Sequence, residues 1–318
     1  MEKNIYFVFS DVHGEYDALL QSLGAAGYKS NNPRHKLVSL GDNFDRGEYS
    51  RQIYDFLCKE KAIWVKGNHE IMLEEALEKG VDGEFVLFNI LHNGLDKTIE
   101  SFSGKEIGYS TTPQELNYLI ECSKHNTRYS NNGKSLLSTL KDLPYYFETK
   151  NYIFVHAGFE PYMPWQTSSK DVMTWDIEYS HLPIKSTDKT VVIGHHHAAR
   201  VRDIAKEHGF QEIALGLPWY GNIDENAPVR IGNKIAIDPC STLTHKVNVI
   251  VIEDEPNEEP ITEKEEKNEE LIVGKTDGFC IAGDDVFFDA GNMVYTSPNL
   301  HDYRVYTTVN NDTYTIRM

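Results

Sequence analysis

Five short segments carry side chains able to bind a metal and move a proton: SDVHG at 10–14, GDNFDRG at 41–47, GNHE at 67–70, HAG at 156–158 and GHHH at 194–197. Each ends an apolar run (NIYFVFS, HKLVSL, AIWV, NYIFV and TVVI), and each sets Asp, Asn or His beside or within two residues of a glycine. In an α/β sheet, functional groups gather at the carboxyl ends of strands. Asp, Asn and His are oxygen and nitrogen donors of intermediate hardness. They suit manganese, iron or zinc better than a soft thiolate metal or a calcium cage. Asp11 and His13 are two residues apart, so an extended segment would aim both side chains the same way. Singly, each segment has a bland reading. Asp11 could cap a helix starting near Glu15, GDNFDRG could be a plain turn, and the histidine run could be a surface tract. Five such segments in order, each at a strand end, favour a metal site.

The elements that must position these residues divide the chain of 318 residues into three regions. Residues 1–252 alternate short apolar strands with helical stretches, an α/β pattern. Residues 253–270 hold ten acids and two lysines without hydrophobic periodicity, and read as a solvated acidic linker. Residues 271–318 contain short β-type runs separated by turn signals, and read as a small all-β module. That module is expected to be a structural appendage, or to dock on the first region, bind an unknown partner or mediate oligomerisation, and to be dispensable for whatever chemistry the five segments perform.

Composition narrows the function classes. The net charge of −18 argues against a general nucleic-acid surface. No apolar run approaches the ~20 residues needed to span a bilayer, and no secretory leader is visible. The four cysteines (Cys58, Cys122, Cys240 and Cys280) form no C-x-x-C pair, which suits a reducing compartment. The expected location is cytoplasmic. Cys122 and Arg128 stand in the C-x5-R spacing of cysteine-based phosphatases, but the intervening SKHNT lacks glycine and QELNYLIE before it reads as helix, so the spacing is taken as chance.

SDVHG, GDNFDRG, GNHE, HAG and GH resemble the metal-dependent phosphoprotein phosphatase family, with its calcineurin-like metallophosphoesterase β-sandwich flanked by helices. NGLDKTIESF at 93–102, LPYYFETKNYIFVHAGFEP at 143–161 and IAIDPCS at 235–241 are similar to its prokaryotic and phage branch, which includes diadenosine tetraphosphate hydrolases. The resemblance covers residues 5–252. It implies two divalent metal ions, with manganese favoured over iron or zinc. Asp11 and His13 would hold the first, Asp42 would bridge, and Asn68, His156 and His195 would complete the second. His195 directly follows its strand, and His197 is the alternative.

The chemistry expected there is in-line attack on phosphorus by a hydroxide shared between the metals. Arg46 offers a planar fork for phosphate oxygens. His69, not spent on metal, would protonate the leaving oxygen, with Asp45 orienting its ring. Branch members usually carry a second phosphate-binding arginine in a Trp-x-Arg setting. Here the matching residues are Trp175, Asp176 and Ile177, and Arg128, Arg200 and Arg202 are the candidate substitutes. The expected function is a serine/threonine protein phosphatase-like phosphomonoesterase acting on a phosphorylated protein. The alternatives are a hydrolase of the nucleotide diadenosine tetraphosphate and a non-catalytic adaptor with a degenerate site.

Overall fold

The strands that deliver ligand-type residues have apolar interiors, and those interiors set the architecture. A computed structural model describes residues 2–125, 127–221 and 223–257, with three strands between 279 and 295. The chain forms two units, residues 1–260 and 261–318. The first opens with β1 (Asn4–Phe9), α1 (Tyr16–Ala25), β2 (His35–Ser39), α2 (Ser50–Lys59) and β3 (Ile63–Trp64). Next come α3 (Asn68–Lys79), α4 (Val86–His92), α5 (Leu95–Ser103), α6 (Pro113–Ser123) and α7 (Leu136–Lys141). Then follow β4 (Tyr146–Glu148), β5 (Tyr152–Val155), α8 (Lys170–Trp175), β6 (Thr190–His197) and α9 (Ala198–Glu207). The unit closes with β7 (Trp219–Tyr220), β8 (Val229–Ile231), β9 (Lys234–Asp238), α10 (Ser241–Thr244) and β10 (Val249–Asp254).

These strands make two mixed sheets, in the orders β3-β2-β1-β10-β7 and β4-β5-β6-β9-β8. In each sheet three strands run parallel: β1, β2 and β3 in one, β5, β6 and β9 in the other. The period of two along each strand builds the layers. Tyr6 and Val8 of β1 enter a core shared with Phe154, Val192, Ile235 and Ile237 of the opposite sheet. Phe7 and Phe9 face the other way, into a core completed by helical residues such as Leu19, Ile53 and Leu73. On the far side, Ile153, Val191 and Ala236 pack with Met173 of α8 and Val201 of α9. The result is the expected β-sandwich with helices on both outer faces. Helix α5 shows how the helical layer is anchored. Leu95, Thr98, Ile99 and Phe102 are its buried residues, at the spacing of one helical face, and Gly94 and Gly104 bound it in left-handed conformations.

The acidic character expected to begin a linker at 253 begins inside the sheet. β10 runs to Asp254, two residues past the expected boundary at 252, and Asn4 and Ile5 of β1 pair with Asp254 and Glu253. Asp254 is buried and accepts hydrogen bonds from Thr149 Oγ1 at 2.7 Å, Asn151 N–H at 2.8 Å and Asn151 Nδ2 at 2.6 Å. A hydrogen-bonded buried carboxylate belongs to the fold, whatever the local composition suggests. The linker residues beyond 257 lie outside the described residues. In the second unit, β11 (Phe279–Ala282), β12 (Asp285–Asp289) and β13 (Val294–Tyr295) form an antiparallel sheet in that order. They fall on the runs GFCIA, DVFFDA and NMVYT; the rest of the expected C-terminal module lies outside the described residues. Among the described residues no helix is long and apolar enough to cross a membrane.

A lysine is buried in the second sheet. Lys234 of β9 is 2% exposed, and its Nζ donates to the Tyr179 carbonyl at 2.8 Å. Burial pushes its pKa down to about 8, with Asp176 opposing. The folded chain therefore releases this proton near pH 8, while the unfolded chain holds it to about 10.5. Between those values the unfolded state binds more protons, so this group makes stability rise with pH across the window. Lys234→Met should flatten that rise, as read from denaturant midpoints between pH 7 and pH 10.5.

Candidate active site

Strand β1 ends at Phe9, and the first two ligand-type residues follow in a tight coil, not in the extended segment their spacing suggested. Asp11 and His13 have φ of 51° and 44°. Asp42, Asp45, Arg46 and His195 also stand in the left-handed region, at 54°, 68°, 67° and 62°. Such a conformation costs a non-glycine residue roughly 1–3 kcal/mol and persists only where surroundings over-determine it. Here the two loops are stitched together by Asp11 N–H to Gly41 O at 3.1 Å, His13 N–H to Asp42 O at 3.0 Å and Gly14 N–H to Asn43 O at 3.1 Å.

Glu70, quoted in the sequence pattern but given no role there, clamps the arrangement. Fully buried, it accepts from the backbone N–H of Asp42 at 2.8 Å, Asn43 at 3.0 Å and Gly67 at 2.9 Å, and from Asn43 Nδ2 at 3.1 Å. Its position three residues after the N-cap Gly67, in the first turn of α3, is where a carboxylate reaches back to the N-cap N–H, although glycine has no side chain to return the bond. Glu70→Ala would orphan these donors in the interior. We expect a loss of ~3 kcal/mol or more and a Tm lowered by roughly 6–12 °C, measured in chelator to remove any metal contribution.

Close approach explains two of the glycines. A Cβ on Gly67 would lie 2.4 Å from Asp42 Oδ1, and one on Gly194 would lie 2.2 Å from Asp11 Oδ2. With no side chain at 194, the next residue's N–H reaches Asp11: His195 N–H donates to Asp11 Oδ2 at 2.9 Å. Asn68 and His69 are the first residues of α3, with Gly67 as its N-cap, and both are buried.

The ligand-type atoms converge on Asp42. His13, Asp42 and His69 bring donor atoms within 4.8 Å of one another, and so do Asp42, His156 and His195. Asp42 is common to both groups: its Oδ2 lies 3.7 Å from His13 Nε2, and its Oδ1 lies 3.4 Å from His156 Nε2. The end of the Asn68 amide lies 2.9 Å from His156 Nε2. Asp11 lines the same pocket but is outside the two tight groups. Both His13 and His156 turn Nδ1 toward a backbone carbonyl, Phe44 O at 2.8 Å and Leu40 O at 2.7 Å. Those bonds fix the rings with Nε2 facing inward, as outer partners of metal-bound imidazoles do.

Charge tests whether this pocket fits a cation. Asp11, Asp42 and Asp238 are each 2% exposed and line it together. Burial, with Asp42 adding and His156 opposing, raises Asp11 to about 6; burial and Asp11 push Asp238 well above the carboxylate range. Burial acts to raise Asp42 too, but His156 and His69 hold it well below that range. For His156, burial is outweighed by Asp42, Asp11 and Glu70, which raise its pKa to about 10. A positive charge is thus strongly held where the acids meet, and a metal cation would answer the same field. His13 is lowered well below its usual value by burial and by His69, and His195 falls to about 3 through burial and His156. Both are therefore neutral imidazoles, the form that ligates. The residues fit divalent metal.

Beside this centre, His69 Nδ1–H donates to Asp45 Oδ2 at 2.6 Å. Thr98 Oγ1 donates to Asp45 Oδ1 at 2.5 Å, and the Asp45 N–H donates back to Thr98 Oγ1 at 2.7 Å. Arg46 N–H is fixed by Gly94 O at 3.0 Å. The stretch NGLDKTIESF therefore holds both Asp45 and Arg46 in place. The guanidinium rests 3.2 Å from His13 Nε2 and 3.3 Å from His69 Nε2. Asp238, the last residue of β9, Cys240 and the α10 residues Ser241 and Thr242 close the pocket. Ser241 Oγ donates to Asp11 O at 2.5 Å. None of these four had a role in the sequence; the signal was the residue type at one more strand end, IAIDPCS. Cys122 lies on α6 and Arg128 binds Asp55 through its backbone N–H at 2.9 Å; neither lines the pocket.

The sequence profile of the calcineurin-like phosphoesterases matches residues 6–219. Serine/threonine-protein phosphatase 2 of Escherichia coli (strain K12) is 40% identical over 82 residues, which is 26% of this chain and 36% of that protein. Its Salmonella typhimurium counterpart is 36% identical over 83 residues, 26% of this chain and 37% of that protein. The chain spans little more than a third of the length of the curated relatives it matches. A solved structure assigned as a diadenosine tetraphosphatase aligns with a TM-score of 0.46 and 18% identity, over 80% of this chain and 95% of that one. The family match runs from β1 to the start of β7 and so takes in Asp11, Asp42, His69, His156 and His195, all of which the fold gathers around one buried centre. On that span, this chain belongs to the calcineurin-like phosphoesterase family.

Proposed function

We propose that the chain is a dinuclear-metal phosphomonoesterase of the serine/threonine protein phosphatase type. The observation that carries the reading is the buried His69–Asp45 pair, 2.6 Å apart, beside Arg46 and the ligand groups that share Asp42. A non-catalytic adaptor has no need of an oriented imidazole at such a centre. The 40% identity over 82 residues, 26% of this chain, to a serine/threonine-protein phosphatase favours that substrate class.

Asp11, His13 and Asp42 would hold one divalent cation, and Asp42, Asn68, His156 and His195 a second, with manganese the first choice for this donor set. Bound there, the pair supplies charge to neutralise phosphate oxygens and a water acidic enough to attack near neutral pH. The chain's own residues do the rest. Arg46, on a loop pinned by Gly94, presents its fork to phosphate oxygens. Asp45 keeps the His69 Nδ1 proton, so Nε2 is the nitrogen that faces the pocket. Burial alone would make His69 less basic, but Asp42 and Asp45 raise its pKa. The ring can therefore carry a proton on Nε2 to the leaving oxygen.

The test is a side-by-side assay in manganese with a phosphoserine peptide, a chromogenic phosphomonoester and diadenosine tetraphosphate. We expect the peptide and the monoester to be turned over, with kcat/KM for the peptide at least ~10-fold above that for the dinucleotide. Cleavage confined to diadenosine tetraphosphate would replace the substrate class. No turnover of any of the three would leave a binding protein.

A further inference from the structure

A phosphoryl group presents three oxygens that bear charge, and Arg46 is the only lysine or arginine that lines the pocket among the described residues. Arg202 is engaged elsewhere: Nε donates to Glu212 at 3.0 Å and Nη2 to Ala227 O at 2.9 Å. Arg128 and Arg200 do not line the pocket. The lining histidines and Asn68 are candidates for metal or for the acid pair. That leaves the wall made by the end of β9 and by α10.

In that wall most polar side chains are spent on holding the chain in place. Asp238 Oδ1 accepts the Cys240 N–H at 2.7 Å, Ser241 Oγ donates to Asp11 O at 2.5 Å, and Thr244 Oγ1 donates to Pro239 O at 3.0 Å. His245 Nδ1 lies 2.9 Å from Glu15 Oε1. Cys240 and His245, which flank α10, both stand in the left-handed region, at φ of 55° and 51°. These contacts fix a short turn against the loop after β1. Thr242 is the exception. It lines the pocket, is only partly buried, and its hydroxyl makes no hydrogen bond among the described residues. The Cys240 thiol beside it is a weak donor. Burial and then Asp238 raise the Cys240 pKa while Arg46 lowers it, so the guanidinium acts on the same turn that carries Thr242.

We infer that the Thr242 hydroxyl is the second phosphate-oxygen contact of this site, a neutral substrate-binding donor that works with the Arg46 fork. The inference rests on the phosphoesterase reading above. A hydroxyl gives a phosphate oxygen one hydrogen bond without adding a charge beside Asp238. Held on a turn that is already fixed, it loses little freedom when the anion arrives. It gives one bond where a second guanidinium would give two, so the site grips its anion by three donors at most from Arg46 and Thr242 together.

The test uses the full chain loaded with manganese, with inorganic phosphate as the probe. Binding is followed by calorimetry, metal content by elemental analysis and turnover with the chromogenic phosphomonoester. Thr242→Val keeps the shape and removes the hydroxyl. It should weaken phosphate binding and raise KM by about tenfold, the loss of one hydrogen bond to a charged group. The fall in kcat should be smaller than the rise in KM, and metal content should stay at the native value. Thr242→Ser, which keeps the hydroxyl, should recover most of the affinity. Native phosphate affinity in Thr242→Val would overturn the inference. An equal loss in both variants would do so too, because the methyl group would then be what matters, and so would loss of metal from Thr242→Val. If the native chain binds phosphate but turns over no ester, the proposed function fails, and the binding comparison still decides the role of Thr242. A loaded native chain that binds no phosphate overturns the inference even if it turns over the ester.

Discussion

Asp42→Asn should drop the manganese content from two ions per chain to one or none, and lower turnover of every substrate by more than ~10³, because the residue common to both ligand groups loses its charge. Asp42 stands between His13 Nε2 and His156 Nε2, and its Oδ1 also accepts the His69 N–H at 3.0 Å. An asparagine oxygen can keep that last bond, so the start of α3 should survive. The charge is what cannot be replaced. Without metal, Asp42 is the chief partner of the protonated His156. Removing it leaves a buried imidazolium facing fewer acids, a change that costs about 3–5 kcal/mol when one member of a buried pair is lost. The variant should therefore also unfold at a lower temperature in chelator. A variant that still holds two ions in excess manganese would show that Asp42 is not shared.

The second large effect separates proton donation from metal holding. His69→Asn should lower turnover of an alkyl phosphomonoester by ~10²–10⁴ with metal content retained. The defect should shrink for nitrophenyl phosphate, whose leaving group needs little protonation. The pH profile follows from the direction of the shift. Burial opposes it, but Asp42 and Asp45 raise the His69 pKa above 6.5, so the acid form is present below that raised value and is lost as pH climbs through it. The native enzyme should show a basic limb above pH 6.5 that the variant lacks. His69 also lies within 4.8 Å of the His13 and Asp42 donor atoms. A variant that loses metal, or is equally slow on good and poor leaving groups, would show His69 to be a ligand instead of an acid.

Residue type and order along the chain announce most of this site. Asp, Asn and His at strand ends next to glycine are local features: the apolar run sets the strand, the glycine sets the turn, and both are legible within ten residues. The same locality makes the helix after GNHE and the face of α5 readable. Local pattern fails where a conformation is imposed by a distant partner. Asp11 and His13 look extended by spacing, yet they are left-handed because the neighbouring loop from Gly41 to Asn43 accepts their N–H groups and that of Gly14. Asp254 looks like linker by composition, yet it is interior because Thr149 and Asn151 donate to it from more than a hundred residues away. Glu70 has a cap's position, but its task of tying β2's loop to α3 exists only once the two strands lie side by side. Which side chains are candidates for the proposed chemistry, and roughly which strand delivers each, is written in local residue order. How they meet is set by the packing of two sheets face to face, since His156 reaches Leu40 O and the His195 N–H reaches Asp11 only across that sandwich. The same packing brings His197 into the pocket and leaves Arg128, Arg200 and Arg202 out of it. Long-range contact is a property of the folded surface, and no spacing along the chain encodes it.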